Sequence, residues 1–356
     1  VLKFARGALN TILLSAPLNV RLWLTTRCNF DCQMCGVKGL GLRDEMSLEQ
    51  LAQVARNLRR IRVSQVILTG GEPLLRSDVV QVVRLFAGRG FVVRIQSNGA
   101  AHVTEDLLRR CYDAGLQDIS VSLDTLDPRM QDAICGAGEV TANALRVLRF
   151  CARHYGHRGV VAANVVLSAK NFVELPRLAR FLHQQGLFFD PCIHSGTFAG
   201  GRAGDRQPDD PFSLARRSSP ATEEVMQRLL QMAAENYRIL TTRRTLLDLR
   251  RYLRTGDCSW DCRAGELSFD VLPGGQLAPC CETVETALEE PVADLTREDF
   301  VAVFRSPAFR DKCRRRREAC AGCLYGCYKD PLYLSRDPRV QLEALRKALA
   351  FGKLLH

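Results

Sequence analysis

The chain has 356 residues, 46% hydrophobic and 25% charged, with a formal net charge of +11. That length carries one large α/β domain plus a smaller one, and the balance is that of an ordinary globular protein. No apolar run reaches the ~18 residues of a helical membrane span. The positive charge raises an acidic partner such as a nucleic acid. Much of it sits in the run Arg314-Arg315-Arg316-Arg317, which reads better as a solvated face. The fifteen cysteines gather at 28–35 and 258–327. Such clustering favours metal binding in a reducing, cytoplasmic setting over scattered disulfides.

Residues 1–19 form a lead-in. Lys3 and Arg6 before the mildly apolar stretch 8–18 imitate a secretory signal, but Asn10, Ser15 and Pro17 interrupt it. A helix packed against the body is expected, with a surface-seeking amphipathic helix as the alternative. From Val20 a β-prone run leads to Thr26. Ser47-Leu48-Glu49-Gln50 has the form of a capping box, which predicts a helix to about Arg60.

Val66–Leu68 reads as a buried strand, and Ser77 as the cap of a helix over 78–88. Val92–Gln96, Asp118–Leu123, Val160–Leu167 and Phe188–Ile193 read as further strands. The helices between them fall at 104–115, 140–154 and 173–185. This alternation predicts parallel βαβ units, six in number. From Ala199 to Pro220 the composition shifts to Gly, Arg, Asp, Pro and Ser, a linker or mobile loop. Helices over 222–237 and 245–253 precede a cysteine-rich region, and apolar spacing in 340–355 predicts a last helix.

Chemistry-bearing residues collect where strands run out, as they do in parallel barrels. After the first strand comes Cys28-Asn29-Phe30-Asp31-Cys32-Gln33-Met34-Cys35. Three thiols at this spacing can hold a four-iron cluster with one iron left open, since thiolates suit iron–sulfur clusters. A zinc knuckle short of one ligand is the alternative. After the second strand comes Gly70-Gly71-Glu72-Pro73, where glycines let backbone approach a ligand and Glu72 offers a carboxylate to an ammonium group. Ser97-Asn98-Gly99, Ser122-Leu123-Asp124 and His194-Ser195-Gly196 follow later strands.

The two motifs, in this order and strand context, resemble those of radical S-adenosylmethionine (SAM) enzymes, across roughly Val20 to Ser195. The resemblance implies a partial (β/α)6 TIM-like barrel over 20–197. Cys28, Cys32 and Cys35 would hold a 4Fe-4S cluster whose open iron chelates SAM. Gly70, Gly71, Glu72 and Pro73 would hold the amino group of SAM, with Ser122, Asp124, Ser97 and Asn98 near its ribose.

Residues 198–255 are then linker and helices. The stretch 256–332, with Cys258, Cys262, Cys280, Cys320, Cys323 and Cys327, resembles the SPASM domain and its shortened twitch form, which hold auxiliary clusters. The run 271–277 looks like their β-hairpin, and 333–356 is a terminal helix. One auxiliary 4Fe-4S cluster is expected, because no cysteine follows Cys327 to complete a second full-length site. Its ligands are either Cys262, Cys280, Cys320 and Cys323, or Cys258, Cys262, Cys280 and Cys327, with a structural zinc site as the alternative. Cys111, Cys135 and Cys151 have no spacing partners and read as ordinary packing thiols. Cys192 and His194 lie near the last strand end, where the imidazole could exchange a proton.

The function implied is reductive cleavage of SAM to a 5′-deoxyadenosyl radical that takes hydrogen from a substrate C–H bond. A ribosomally made peptide or protein is the first substrate class expected. A small molecule of cofactor or natural-product biosynthesis is the alternative. A flavodoxin or ferredoxin would supply electrons, and a separate carrier protein could present a peptide. A metal-stabilised nucleic-acid-binding protein is the rival reading, and it leaves the glycine motif without a role.

Overall fold

The computed structural model describes residues 9–42, 44–194, 210–214, 218–320 and 322–351. Most of the expected linker at 199–220, and Ser195 and Gly196, lie outside the described residues. Six parallel strands follow one another in the sheet: β1 (Asn19–Thr25), β2 (Gln65–Gly70), β3 (Val92–Ser97), β4 (Asp118–Ser122), β5 (Val161–Leu167) and β6 (Phe188–Ile193). Each pairs with the next in sequence, the arrangement expected of successive βαβ crossovers.

The crossovers carry α1 (Leu48–Arg60), α2 (Val79–Gly88), α3 (Glu105–Asp113), α4 (Pro128–Cys135), α5 (Val140–Tyr155) and α6 (Leu175–Gln184). The capping box at α1 forms as read: Ser47 Oγ accepts from Gln50 N, and Gln50 Oε1 accepts from Ser47 N. Leu51, Val54, Ala55 and Leu58 then bury the inner face of that helix. Thr104 caps α3 through Leu107 N. Ser77 does not cap α2. Asp78 holds the cap position without a side-chain cap bond, and Arg76 takes its carboxylate in a bidentate pair. Helix α4 has no counterpart in the periodicity reading, because eight residues give too short a pattern.

The C-terminal third contributes α7 (Pro220–Ala234), α8 (Arg243–Thr255), β7 (Ser268–Val271), β8 (Leu277–Ala278), α9 (Val284–Glu289), α10 (Phe300–Arg305), α11 (Pro307–Glu318), α12 (Gly326–Arg336) and α13 (Pro338–Phe351). Strands β7 and β8 form the antiparallel hairpin expected near 271–277. The hairpin is not a separate layer. Strand β7 pairs parallel with β1, Asn19 opposite Ser268 and Leu22 opposite Val271, so the sheet runs β6-β5-β4-β3-β2-β1-β7-β8.

Residues 9–14 are helical, and Leu18 behind them packs on Leu334 and Val340. The arginine run lies on α11 and is internally neutralised. Arg314 and Arg315 pair with Asp311, Arg314 also with Glu318, Arg316 with Glu290 and Arg317 with Glu266. A face matched this way gives little footing to a phosphate backbone. Among the described residues no helix is long and apolar enough to cross a membrane.

One buried ion pair fastens the hairpin to the barrel. Asp270 on β7 accepts from Arg21 Nε at 3.0 Å and Nη2 at 2.9 Å, from Trp23 Nε1 at 2.8 Å, and from the Tyr328 hydroxyl. Removing one partner of a buried pair strands the other charge. Asp270→Ala should therefore cost about 3–5 kcal/mol, read as a lower urea midpoint; a change under ~1 kcal/mol would show that Arg21 finds another partner.

Candidate functional site

The strand ends of the barrel surround one cavity of about 360 Å³, reached by the thiols of Cys28, Cys32 and Cys35. Its wall also holds Gly70, Gly71, Ser97, Asn98, Ser122 and Asp124. The loop after β1 is shaped by its own backbone. Phe30 N lies 3.5 Å from Cys28 Sγ, and Cys35 N donates to Cys32 O at 3.1 Å. Burial raises the Cys28 thiol above its ordinary pKa, partly offset by that N–H. Cys28 and Cys32 are half-buried, and Cys35 is exposed.

The glycines after β2 serve the neighbouring strand first. A Cβ on Gly70 would lie 2.2 Å from Thr25 O, and one on Gly71 2.2 Å from Arg27 O. Gly71 N and Glu72 N donate to those same two carbonyls at 2.8 Å. Glycine here lets the loop press flat against the root of the cysteine loop. Pro73 opens a short 3-10 turn behind them.

Glu72 has partners other than the ammonium group expected for it. It is fully buried and is not among the cavity-lining residues. Its carboxylate accepts from Leu74 N at 3.0 Å, Asn98 N at 2.6 Å and the Ser97 hydroxyl at 3.1 Å. Burial lifts its pKa to about 7 against those bonds.

Ser97 and Asn98 are likewise committed to the cysteine loop. Ser97 binds Glu72, while Asn98 Nδ2 donates to Asn29 Oδ1 at 2.8 Å and faces Cys28 Sγ at 3.8 Å. Both also line the cavity. Glu72→Ala should leave iron binding intact and weaken SAM binding by roughly 1.5–3 kcal/mol, because the Asn98 turn loses its anchor. Iron analysis beside calorimetric titration checks this; lost iron with unchanged SAM affinity would reverse the assignment.

Ser122 and Asp124 keep their place at the wall. Asp124 Oδ1 accepts from Val166 N at 2.7 Å, and burial raises its pKa to about 6. Several wall residues escaped the sequence reading, among them Arg94, Gln96, Asn164 and Asp190. Their signal was present: polar side chains at alternate positions of otherwise apolar strands, where burial demands a partner. Arg94 meets Asp190 and Ser120 across the barrel. His194 Nε2 is bonded to Asp210 Oδ2 at 2.7 Å, which gives the imidazole a fixed orientation at the mouth.

Beyond β1 and β7 a second group of thiols meets. Cys323 lies in a buried cluster on which Cys262, Cys280 and Cys327 pack, and Cys320 stands three residues before it. Burial raises all three of Cys262, Cys280 and Cys323, Cys262 to about 11. Ala264 N points at Cys262 Sγ (3.4 Å) and Gly322 N at Cys320 Sγ (3.3 Å). Cys258 is buried beside this group, against Gly322 between Cys320 and Cys323, where a Cβ would come within 3.1 Å of its sulfur. Cys327 packs in the same cluster and, with Cys281 and Cys192, also lines the barrel cavity.

Among the described residues no three ligand-type side chains gather around a single metal-ion position. An all-sulfur donor set with backbone N–H groups on two sulfurs is the surrounding that an iron–sulfur cluster takes. At the first site, three thiols on one loop beside a cavity fit a cluster with an open position.

The fold and the cysteine loop define an enzyme that works through a cluster at the mouth of a partial barrel. Residues 24–182 match the radical SAM superfamily, so the chain carries a radical SAM domain. The superfamily uses a 4Fe-4S cluster and SAM. The GTP 3′,8-cyclase of Marinobacter nauticus is 33% identical over 174 residues, 47% of this chain and 50% of that protein. GTP 3′,8-cyclase 1 of Pseudomonas aeruginosa is 35% identical over 173 residues, 47% and 51% of the two chains. The chain thus spans about half the length of these curated relatives. Among solved structures, Streptococcus suis SuiB bound to precursor peptide SuiA has a TM-score of 0.65 at 15% identity, over 88% of this chain and 71% of that one. Histidine-tagged anSMEcpe with bound AdoMet has a TM-score of 0.63 at 13% identity, over 92% and 98%. At such identities the likeness is one of fold.

Proposed function

We propose that Cys28, Cys32 and Cys35 hold the SAM-binding cluster and that Cys262, Cys280, Cys320 and Cys323 hold one auxiliary 4Fe-4S cluster, in a SPASM/twitch-type region. We propose further that the enzyme modifies a ribosomally made peptide or protein. When bound, the first cluster and SAM would supply the radical chemistry that removes a hydrogen atom from the substrate. The chain's own residues position and shield. The Gly70-Gly71 backbone and Asp124 flank the ligand, the Glu72–Asn98 brace fixes the cysteine loop, and the apolar wall keeps water out. A low-potential donor such as a flavodoxin or ferredoxin would provide electrons, in the cytoplasm.

The observation that carries the substrate class is the charge of the cavity. Its Arg and Lys residues, Arg21, Arg94 and Lys347, are each paired with a carboxylate: Asp270, Asp190 and Glu343. Asp124 and Asp330 add to the acidic side among the described residues. A nucleoside triphosphate would bring several negative charges to a wall whose cations are already matched. A neutral or basic peptide segment meets no such opposition. The peptide-binding fold neighbour SuiB is consistent with this, and a separate carrier protein could present the peptide.

A second reading, small-molecule cofactor biosynthesis, rests on the GTP 3′,8-cyclase relatives of the barrel half. Anaerobic protein with SAM, dithionite and short peptides encoded beside its gene should yield a peptide of altered mass, and GTP should neither be consumed nor raise 5′-deoxyadenosine release. GTP turnover in step with SAM cleavage would decide for the second reading.

A further inference from the structure

The cavity does not stop below the cysteine loop. Its wall includes Gly70 at the end of β2, and also Asn19 and Gln65, which stand opposite each other where β1 and β2 begin. The seven residues of β1 span roughly 20 Å at the rise of a parallel strand. The far end is closed by the segment before α8 and by α12 and α13, where Leu240, Leu334, Val340 and Ala344 give an apolar lining.

One carboxylate stands at this base. Asp330 Oδ1 accepts from the hydroxyls of Thr242 at 2.8 Å and Thr245 at 2.6 Å, and Oδ2 from that of Thr241 at 3.0 Å. Hydroxyls fix its direction but bring no charge. Burial raises its pKa against these bonds, yet the residue is only half-buried, and it lines the cavity. Gly326 on α12 leaves it uncovered: a Cβ there would sit 3.4 Å from Asp330 Oδ2 and 3.3 Å from Thr241 Oγ1.

Charge pairing singles this residue out. Among the carboxylates of the wall, Asp190, Asp270 and Glu343 are paired with Arg94, Arg21 and Lys347. Among the described residues, no Lys or Arg pairs with Asp124 or Asp330. Asp124 lies at the cluster end, where SAM is expected. Asp330 lies at the opposite end, with no part in that chemistry. A carboxylate withdrawn from water without a cation is costly, and a ligand that brings the cation relieves the cost.

We propose that the base of the cavity is a subsite for a cationic side chain of the substrate, an alkylammonium or guanidinium group, and that Asp330 is the residue that selects it. The stem of such a group lies along the apolar lining with its charged tip at the carboxylate, as long basic side chains do elsewhere. This deepens the peptide reading above and rests on it for the source of the group, a Lys or Arg of the peptide.

The test is thermal unfolding of the full-length protein, reconstituted with iron and sulfide, in the presence of pentylammonium. Controls are 1-pentanol and sodium chloride at equal ionic strength. Pentylammonium should raise the melting temperature with a saturating dose dependence, and neither control should. Asp330→Asn keeps an acceptor but no charge and should lose the rise. Ala344→Phe fills the base, keeps the carboxylate and should lose it too. Thr245→Val removes one hydroxyl bond and leaves the charge, so it should melt lower yet keep the rise. An equal rise in Asp330→Asn would overturn the proposal and make Asp330 a joint between α12 and α8. So would the absence of a rise in the wild-type protein, a result that needs no variant to fold. A cation-specific rise beside peptides of unaltered mass would refute the peptide reading and keep the subsite.

Discussion

Cys32→Ala, in protein reconstituted anaerobically with iron and sulfide, is expected to abolish release of 5′-deoxyadenosine from SAM under dithionite. Cys32 is the middle of the three thiols on the loop after β1, and it lines the cavity at the strand ends. Two thiols cannot hold a four-iron cluster that already leaves one iron open, so the loss should be complete rather than graded. The fold should survive, because Cys32 is half-buried and the loop is pinned through backbone atoms of Asp31 and Gln33. Cleavage at the wild-type rate would refute the assignment of the first site. An unchanged melting temperature beside lost cleavage would separate chemistry from folding.

The triple variant Cys28→Ala/Cys32→Ala/Cys35→Ala is expected to retain about four irons per chain, one four-iron cluster. The second set of thiols flanks the β7–β8 hairpin and lies on the segment before α12, and it shares no residue with the first. In that background Cys262→Ala, Cys280→Ala, Cys320→Ala and Cys323→Ala should each disrupt the cluster. Cys258→Ala and Cys327→Ala should spare it, since neither belongs to the proposed ligand set. Sequence spacing alone left these two ligand sets equal. Zinc in place of iron would sink the auxiliary-cluster proposal, and about eight irons would mean a second site.

The barrel was legible because its signals are local. Apolar runs such as Gln65–Gly70 end at glycines, and the caps at Ser47 and Thr104 need only three following residues to form. The cysteine loop and the glycine motif were legible for the same reason. What stayed hidden depends on residues far apart. Nothing near Glu72 announces that Ser97 and Asn98 will use up its carboxylate. Nothing near Cys135 announces that its carbonyl will take the Asp31 N–H of the cysteine loop, because spacing arguments compare residues within one loop. The interior polar groups left a visible mark, Arg94 and Asn164 inside apolar strands, but their partners come from strands that only the sheet order brings opposite.

The pairing of β7 with β1 bears on how this chain can be divided. Strand β1 ends in the cysteine loop and lies between β2 and β7, so the hairpin supplies one of its two rows of main-chain bonds. A fragment ending before residue 256 would leave that row open and Arg21 buried without Asp270. An unpaired strand edge beside a stranded charge invites aggregation. The barrel is therefore not a stand-alone cassette to which an auxiliary region was appended. Exchange of C-terminal regions between relatives, in evolution or at the bench, would have to carry the β7 edge and its aspartate along.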